Sequence, residues 1–192
     1  MRITVYIATS LDGFIARPDG TLDWLEPDVA DPPETGDVPP ADQDEPNDMG
    51  WGEFIASVDV LAMGRHTYEV VQGFDVPWPY TVPVEVLSRS LTDADIPDEL
   101  AGKIRFVSGT PSELAAGWRE RGMSRVYLDG GRAVQAFLAA GLVDELIITT
   151  IPVLIGEGIP LFGSLPADVR VEHRDHQDLG GSIVQDTYGV LR

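Results

Sequence analysis

Arg125-Val126-Tyr127-Leu128-Asp129-Gly130-Gly131-Arg132-Ala133 is the stretch that decides how this chain folds. Arg125 to Leu128 reads as a short apolar strand, and Asp129-Gly130-Gly131-Arg132 reads as a tight turn that opens a helix running to about Ala140. Gly141 closes the helix, since glycine accepts the left-handed backbone of a helix C-terminus, and Glu145 to Ile151 is the next strand. Strand, helix and strand in close succession make one βαβ unit, and such units build parallel sheets.

The alternation continues towards the N-terminus. Ile3 to Thr9 reads as a buried strand, followed by Ser10-Leu11-Asp12-Gly13-Phe14-Ile15-Ala16 and the turn Arg17-Pro18-Asp19-Gly20. Trp51 to Val58 reads as a short helix with Asn47 or Asp48 as candidate caps. Val60-Leu61-Ala62-Met63, Val84-Glu85-Val86-Leu87 and Arg105-Phe106-Val107 read as strands. Thr110-Pro111-Ser112-Glu113 is the strongest local signal. It offers a capping threonine, a proline at the first helical position and a glutamate at the third, for a helix ending near Gly122. From Val169 to Leu191 two extended segments flank Leu179-Gly180-Gly181, a C-terminal hairpin. The expectation is one α/β domain over residues 1–192, with a mostly parallel central sheet flanked by helices and an antiparallel hairpin at its C-terminal end.

Charge narrows the partners. The 192 residues carry thirty-two acidic and thirteen basic side chains, a net charge of −19, with Lys103 the single lysine. So acidic a surface repels nucleic-acid phosphates and anionic membranes, and it gives each remaining arginine more weight. No apolar run reaches the roughly 20 residues of a membrane span, and no signal-peptide cleavage pattern follows Met1, so a cytoplasmic location is expected. Cysteine is absent, which excludes disulfides, thiolate zinc ligands and thiol nucleophiles. Pro27 to Asp48 holds six prolines and eight acidic residues with no basic one, and reads as a loop: either a solvated insertion or a lid over a site.

In an open α/β sheet, ligands bind beyond the carboxyl ends of the strands. Three segments at such ends have phosphate-binding character. Asp129-Gly130-Gly131-Arg132-Ala133 lets backbone approach a ligand and aims helix N-terminal amides at an anion. Gly64-Arg65-His66-Thr67 and Ser88-Arg89-Ser90 add arginines and hydroxyls. Each alone reads as a surface turn, but together they suggest a bound polyanion such as a dinucleotide. Other chemistries lack their residues. GxSxG, HExxH and GxxxxGK[ST] are all missing, and His173 and His176, three apart on an expected strand, read as exposed, so no metal site is expected.

Three segments taken in order resemble the dihydrofolate-reductase-like family: Ile7 to Ala16, Met63-Gly64-Arg65-His66-Thr67-Tyr68-Glu69, and Asp129-Gly130-Gly131. Gly141-Leu142-Val143-Asp144-Glu145-Leu146 and Ile151-Pro152-Val153-Leu154-Ile155-Gly156-Glu157-Gly158 are most similar to its riboflavin-biosynthesis reductase branch and the single-domain relatives of that branch.

The resemblance implies an NADPH-dependent reductase acting on a small heterocycle or ribosyl-aminopyrimidine. It implies that Gly64, Arg65, His66 and Thr67 hold the phosphates of NADPH, and that Ser88 and Arg89 flank its 2′-phosphate. Gly130, Gly131, Arg132 and Ala133 would then receive the pyrophosphate, and Ala8 and Ile15 would line the nicotinamide. Asp129 stands where the riboflavin branch faces its substrate, and Asp12 lies in the loop across the pocket; these two are the expected proton carriers. Asp48, with Glu53 as alternative, is nearest to the carboxylate that folate reductases carry on the helix before the second strand. A homodimer is implied as well, with Ile151–Phe162 as a contributing segment. Two other readings stay open: a folate-type reductase, for which the arginine that binds the glutamate tail has no counterpart here, and a non-catalytic NADPH-binding sensor.

Overall fold

The computed structural model describes residues 1–25, 50–74 and 76–192. The Pro27–Asp48 loop, and Asp48 with it, lie outside the described residues. Ten strands and four α-helices are formed among them. In chain order these are β1 (Arg2–Ser10), β2 (Phe14–Ala16), α1 (Trp51–Ala56), β3 (Val60–Gly64), α2 (Arg65–Gln72), β4 (Val84–Leu87), β5 (Ile104–Val107), α3 (Pro111–Glu120), β6 (Arg125–Asp129), α4 (Gly131–Ala139), β7 (Glu145–Ile151), β8 (Ile159–Pro160), β9 (Val171–Asp178) and β10 (Val184–Val190).

Eight strands make one sheet in the order β5-β4-β3-β6-β1-β7-β10-β9. The six from β5 to β7 run parallel, and β10 pairs antiparallel with both β7 and β9. The dihydrofolate-reductase-like architecture expected from the sequence is the one observed. Its parallel strands are buried on both faces, so they read as continuous apolar runs rather than alternating ones. Alternation sorts the residues between two cores. Val60 and Ala62 join Ile3, Val5, Val126 and Leu128 under Trp118 of α3 and Phe137 of α4. Leu61 and Met63 join Val84, Val86 and Tyr127 under Phe54 of α1 and Tyr68 of α2.

Local signals hold where a turn or cap has its own chemistry. Thr110 Oγ1 accepts from Glu113 N at 3.3 Å while Glu113 Oε2 accepts from Thr110 N at 2.7 Å, which closes a reciprocal cap on α3. Gly141 takes φ +66° after α4.

Three features depart from expectation. The N-cap of α1 is Gly50, left-handed at φ +79° and without a side-chain cap, so neither Asn47 nor Asp48 holds that place. Residues 65–72 form a helix that the sequence does not announce, because only Tyr68 and Val71 are buried on it and its first turn is polar. Phe14–Ala16 pairs with Ile159–Pro160 as a separate two-stranded ribbon too short to leave a pattern. The edge strand β9 is exposed along its whole length, and its charged residues protect it from pairing with another chain. Among the described residues no helix is long and apolar enough to cross a membrane.

Candidate active site

A cleft of about 1290 Å³ opens at the carboxyl ends of β1, β3, β4 and β6. Ala8, Ile15, Gly64, Arg65, His66, Thr67, Ser88, Arg89, Asp129, Gly130, Gly131, Arg132 and Ala133 all line it. Turns separated by more than sixty residues in sequence are thereby gathered around one space, which exceeds the usual room of a single small ligand.

Register brings them together. β3 lies between β4 and β6, with Gly64 opposite Leu87 and Met63 opposite Asp129, so the three following turns leave the sheet side by side. Gly130 sits at φ +91°, and a side chain there would run into Thr67 Oγ1 of the neighbouring turn. Gly131 is packed against Ile15 and the Pro160 carbonyl. Close approach therefore requires glycine at both positions, and at Gly130 the backbone conformation requires it as well. Gly130→Ala is expected to lower stability by about 1–3 kcal/mol, read by calorimetry, and Thr67→Ala in the same chain should restore part of the loss. A Gly130→Ala protein melting like the parent would contradict this packing.

The cations at the cleft are placed unequally. Arg65 Nε binds Glu69 Oε1 at 2.7 Å, and its Nη1 reaches Ser90 Oγ at 2.8 Å, tying α2 to the turn after β4. Ser88 Oγ accepts from Ser90 N and Leu91 N at 3.2 and 3.0 Å and shapes that turn. Arg89 and Arg132 are exposed, and neither meets a carboxylate among the described residues, although the chain carries thirty-two acidic side chains. Two uncompensated guanidinium groups beside helix N-termini make this end attractive to an anion.

The opposite end is aromatic, and no local pattern announces it. Tyr6 of β1, Trp51 of α1, Tyr80 and Tyr127 of β6 line the cleft with Leu22 and Leu25. The Trp51 ring centroid lies 5.7 Å from Tyr6, 6.4 Å from Tyr80 and 5.7 Å from Tyr127. Tyr127 donates its hydroxyl proton to the Tyr6 carbonyl at 3.0 Å.

Asp129 stands where the two ends meet. Its Oδ1 accepts from Gly130 N at 2.7 Å, which fixes the glycine turn. Burial pushes the carboxyl up to about 6 from its usual 3.8, outweighing the Gly130 hydrogen bond and the weaker pull of the nearby Tyr127 hydroxyl, which favour the anion. The same burial, together with the Asp129 charge, raises the Tyr80 and Tyr127 hydroxyls, so both remain donors. A half-buried carboxyl raised to about 6 at the wall of a cleft is suited to proton transfer.

Asp12 is not brought to the cleft. It accepts from Ser10 Oγ at 2.6 Å, Gly156 N at 2.8 Å and Ile155 N at 3.3 Å, and these bonds, that from Ser10 foremost, lower its carboxyl below the usual range. Its work is to staple the loop after β1 to the loop after β7. Glu53 is exposed on α1 and does not line the cleft either.

Away from the cleft, His173 Nε2 and His176 Nδ1 lie 2.8 and 2.9 Å from Asp186 Oδ1. Residues three apart on a regular strand face opposite ways, so their spacing gave no sign of this meeting. A bulge opposite Thr187/Tyr188 turns both rings, exposed as expected, to one side. The three side chains have the ligand types of a metal site, and their hydrogen bonds hold the bulge together.

An open sheet of this order, with glycine turns at its carboxyl edge, has the dihydrofolate-reductase-like fold. The chain belongs to the RibD C-terminal domain family, whose model matches residues 2–185. A protein of Shewanella sp. PV-4, provisionally assigned to riboflavin biosynthesis, is 36% identical and superposes with a TM-score of 0.84, covering all of both chains. The Thermotoga maritima diaminohydroxyphosphoribosylaminopyrimidine deaminase/5-amino-6-(5-phosphoribosylamino)uracil reductase has a TM-score of 0.70 at 13% identity, over 99% of this chain and 56% of that one. Dihydrofolate reductase from Enterococcus faecalis, solved with NADP(H), has a TM-score of 0.60 at 16% identity, over 100% and 97%. The last two likenesses establish the shared fold.

Proposed function

We propose that the chain is an NADPH-dependent reductase that reduces a C=N or C=O bond of a small heterocycle. The observation that carries this reading is the convergence of three turns, two of them presenting uncompensated arginines, beside a carboxyl that titrates near 6. The residues fit the cofactor in three respects. Nothing lies within 4 Å of the position a Gly64 side chain would take, Gly130 already holds the backbone of a close-approach turn, and Arg89 and Arg132 lack carboxylate partners among the described residues.

Bound NADPH supplies the hydride. In this reading Arg89, with Ser88, grips the 2′-phosphate, because a guanidinium can form paired bonds to it. Arg65, His66, Thr67 and the amides at the start of α4 meet the pyrophosphate. Ala8 and Ile15 wall the nicotinamide end with small and apolar surface. Asp129 passes a proton to the atom next to the reduced carbon, and Trp51 and Tyr80 keep bulk water away.

Calorimetric titration tests the cofactor assignment. NADPH is expected to bind at micromolar or tighter Kd. Arg89→Ala should weaken NADPH by about 10- to 100-fold, equivalent to about 1.4–3 kcal/mol, and leave NADH nearly unchanged. Arg132→Ala should weaken both. A folded protein that binds neither nucleotide would leave the three turns as scaffold and overturn the proposal.

A further inference from the structure

The aromatic end of the cleft restricts what can be reduced there. Resting on the reductase reading above, we infer that the substrate is a flat, uncharged nitrogen heterocycle without a phosphate group, held against the aromatic wall of Trp51, Tyr6 and Tyr80 with its reducible bond towards Asp129.

Charge is the first argument. The basic side chains that line the cleft are Arg65, His66, Arg89 and Arg132, and all four sit on the turns after β3, β4 and β6. At the other end the lining side chains among the described residues are aromatic or aliphatic, and Asp129 is the charged group beside them. Two further arginines lie on flanking segments, and both are committed. Arg17 binds Asp23 at 2.7 Å, while Arg125 binds Glu145 at 2.9 Å and covers the Phe54 ring from outside the cleft. Residues 26–49, which connect Leu25 to Gly50, contain nine acidic residues and no lysine, arginine or histidine. A phosphate brought to this end would meet no cation among these groups. It would also stand near a carboxyl that ionises near neutrality, so burying the dianion would be opposed by desolvation and by like charge.

Shape is the second argument. Trp51 is packed edge-on against Tyr6, Tyr80 and Tyr127, with interplanar angles of 62°, 61° and 75°. These rings brace one another, and the surface they leave is made of aromatic faces and edges together with Leu22 and Leu25. Such a slot accepts a planar π-system by stacking and offers little to a sugar phosphate.

The chemistry balances with the groups named. Bound NADPH would supply a hydride, and with it two electrons, to the carbon of a ring C=N. The C=N π-bond opens towards nitrogen, which takes the Asp129 proton. The products are the CH–NH compound and oxidised cofactor, and water returns the proton to Asp129.

A matched pair of compounds tests the inference. 5-Amino-6-ribosylaminouracil and its 5′-phosphate share ring and sugar and differ by the phosphate, and 6-methyl-7,8-dihydropterin adds a neutral ring without sugar. Each is titrated into the protein alone and into NADPH-loaded protein, with tryptophan fluorescence as the readout. The two forms without phosphate are expected to bind at least 10-fold more tightly than the phosphate. Trp51→Ala should weaken the neutral compounds about 10-fold or more, and Leu25→Arg, which adds a cation at a half-buried position, should recover the phosphate. Tighter binding of the 5′-phosphate by the parent protein, or binding of the phosphate alone, would overturn the inference. Because the protein is also titrated without cofactor, failure to bind NADPH removes the reductase reading separately, and the slot is still judged.

Discussion

Replacing Asp129 with asparagine is expected to lower kcat by about 10²–10⁴ and, at the same time, to raise the melting temperature above pH 7. Asparagine keeps an oxygen for Gly130 N, so the turn survives, but it has no proton to give. The parent enzyme needs the protonated acid, so its kcat/KM should be level below about pH 6, where the carboxyl titrates, and fall roughly tenfold per pH unit above it. The asparagine protein should lose that limb. The stability change has the opposite sign. A carboxyl at about 6 in the folded chain and 3.8 unfolded holds its proton more tightly when folded. That preference adds stability below pH 3.8 and is lost as pH rises through about 6. At pH 8 the parent carries a partly desolvated anion where the variant carries a neutral amide, so the variant gains roughly 1–3 kcal/mol. An unchanged pH profile would remove Asp129 from the chemistry, and an unchanged or lowered melting temperature at pH 8 would contradict its desolvation.

The second large effect lies in the scaffold. Glu85 is 2% exposed on β4, where Oε2 accepts from Trp118 Nε1 at 2.8 Å. Its Oε1 meets Arg121 Nη1 at 2.6 Å and Arg105 Nη2 at 2.9 Å. The guanidinium groups remain well exposed and can turn to water, whereas Trp118 is fully buried and cannot. Glu85→Ala is therefore expected to cost about 2–4 kcal/mol, chiefly the orphaned indole N–H and the lost packing. Glu85→Gln keeps an acceptor for Trp118 and should cost about 1 kcal/mol. Denaturant midpoints separate the two; equal losses would mean that the ion pairs, rather than the indole bond, hold this corner together.

Legibility in the sequence followed the range of the interactions. The parallel strands, the α3 cap and the glycine turns were readable because each depends on residues within a few positions of one another. The turns that line the cleft were readable for the same reason: each carries its own glycine, hydroxyl or arginine. Helix α2 was hidden because only Tyr68 and Val71 mark its buried face. The aromatic wall was hidden because Tyr6, Trp51, Tyr80 and Tyr127 come from four elements and meet only in three dimensions. Asp-Gly in a loop near a pocket reads alike whether the carboxylate faces a ligand or the protein's own backbone, and the Asp12 carboxylate accepts from the amides of Ile155 and Gly156. The meeting of His173 with His176 depended on a bulge that the strand pattern conceals.

The most direct test of the central claim is a backbone amide NMR titration with NADPH. The account predicts saturable shifts at Gly64–Thr67, Ser88–Arg89 and Gly130–Ala133, with the β9–β10 hairpin silent. Shifts confined to that hairpin, or none at all in the folded protein, would contradict it.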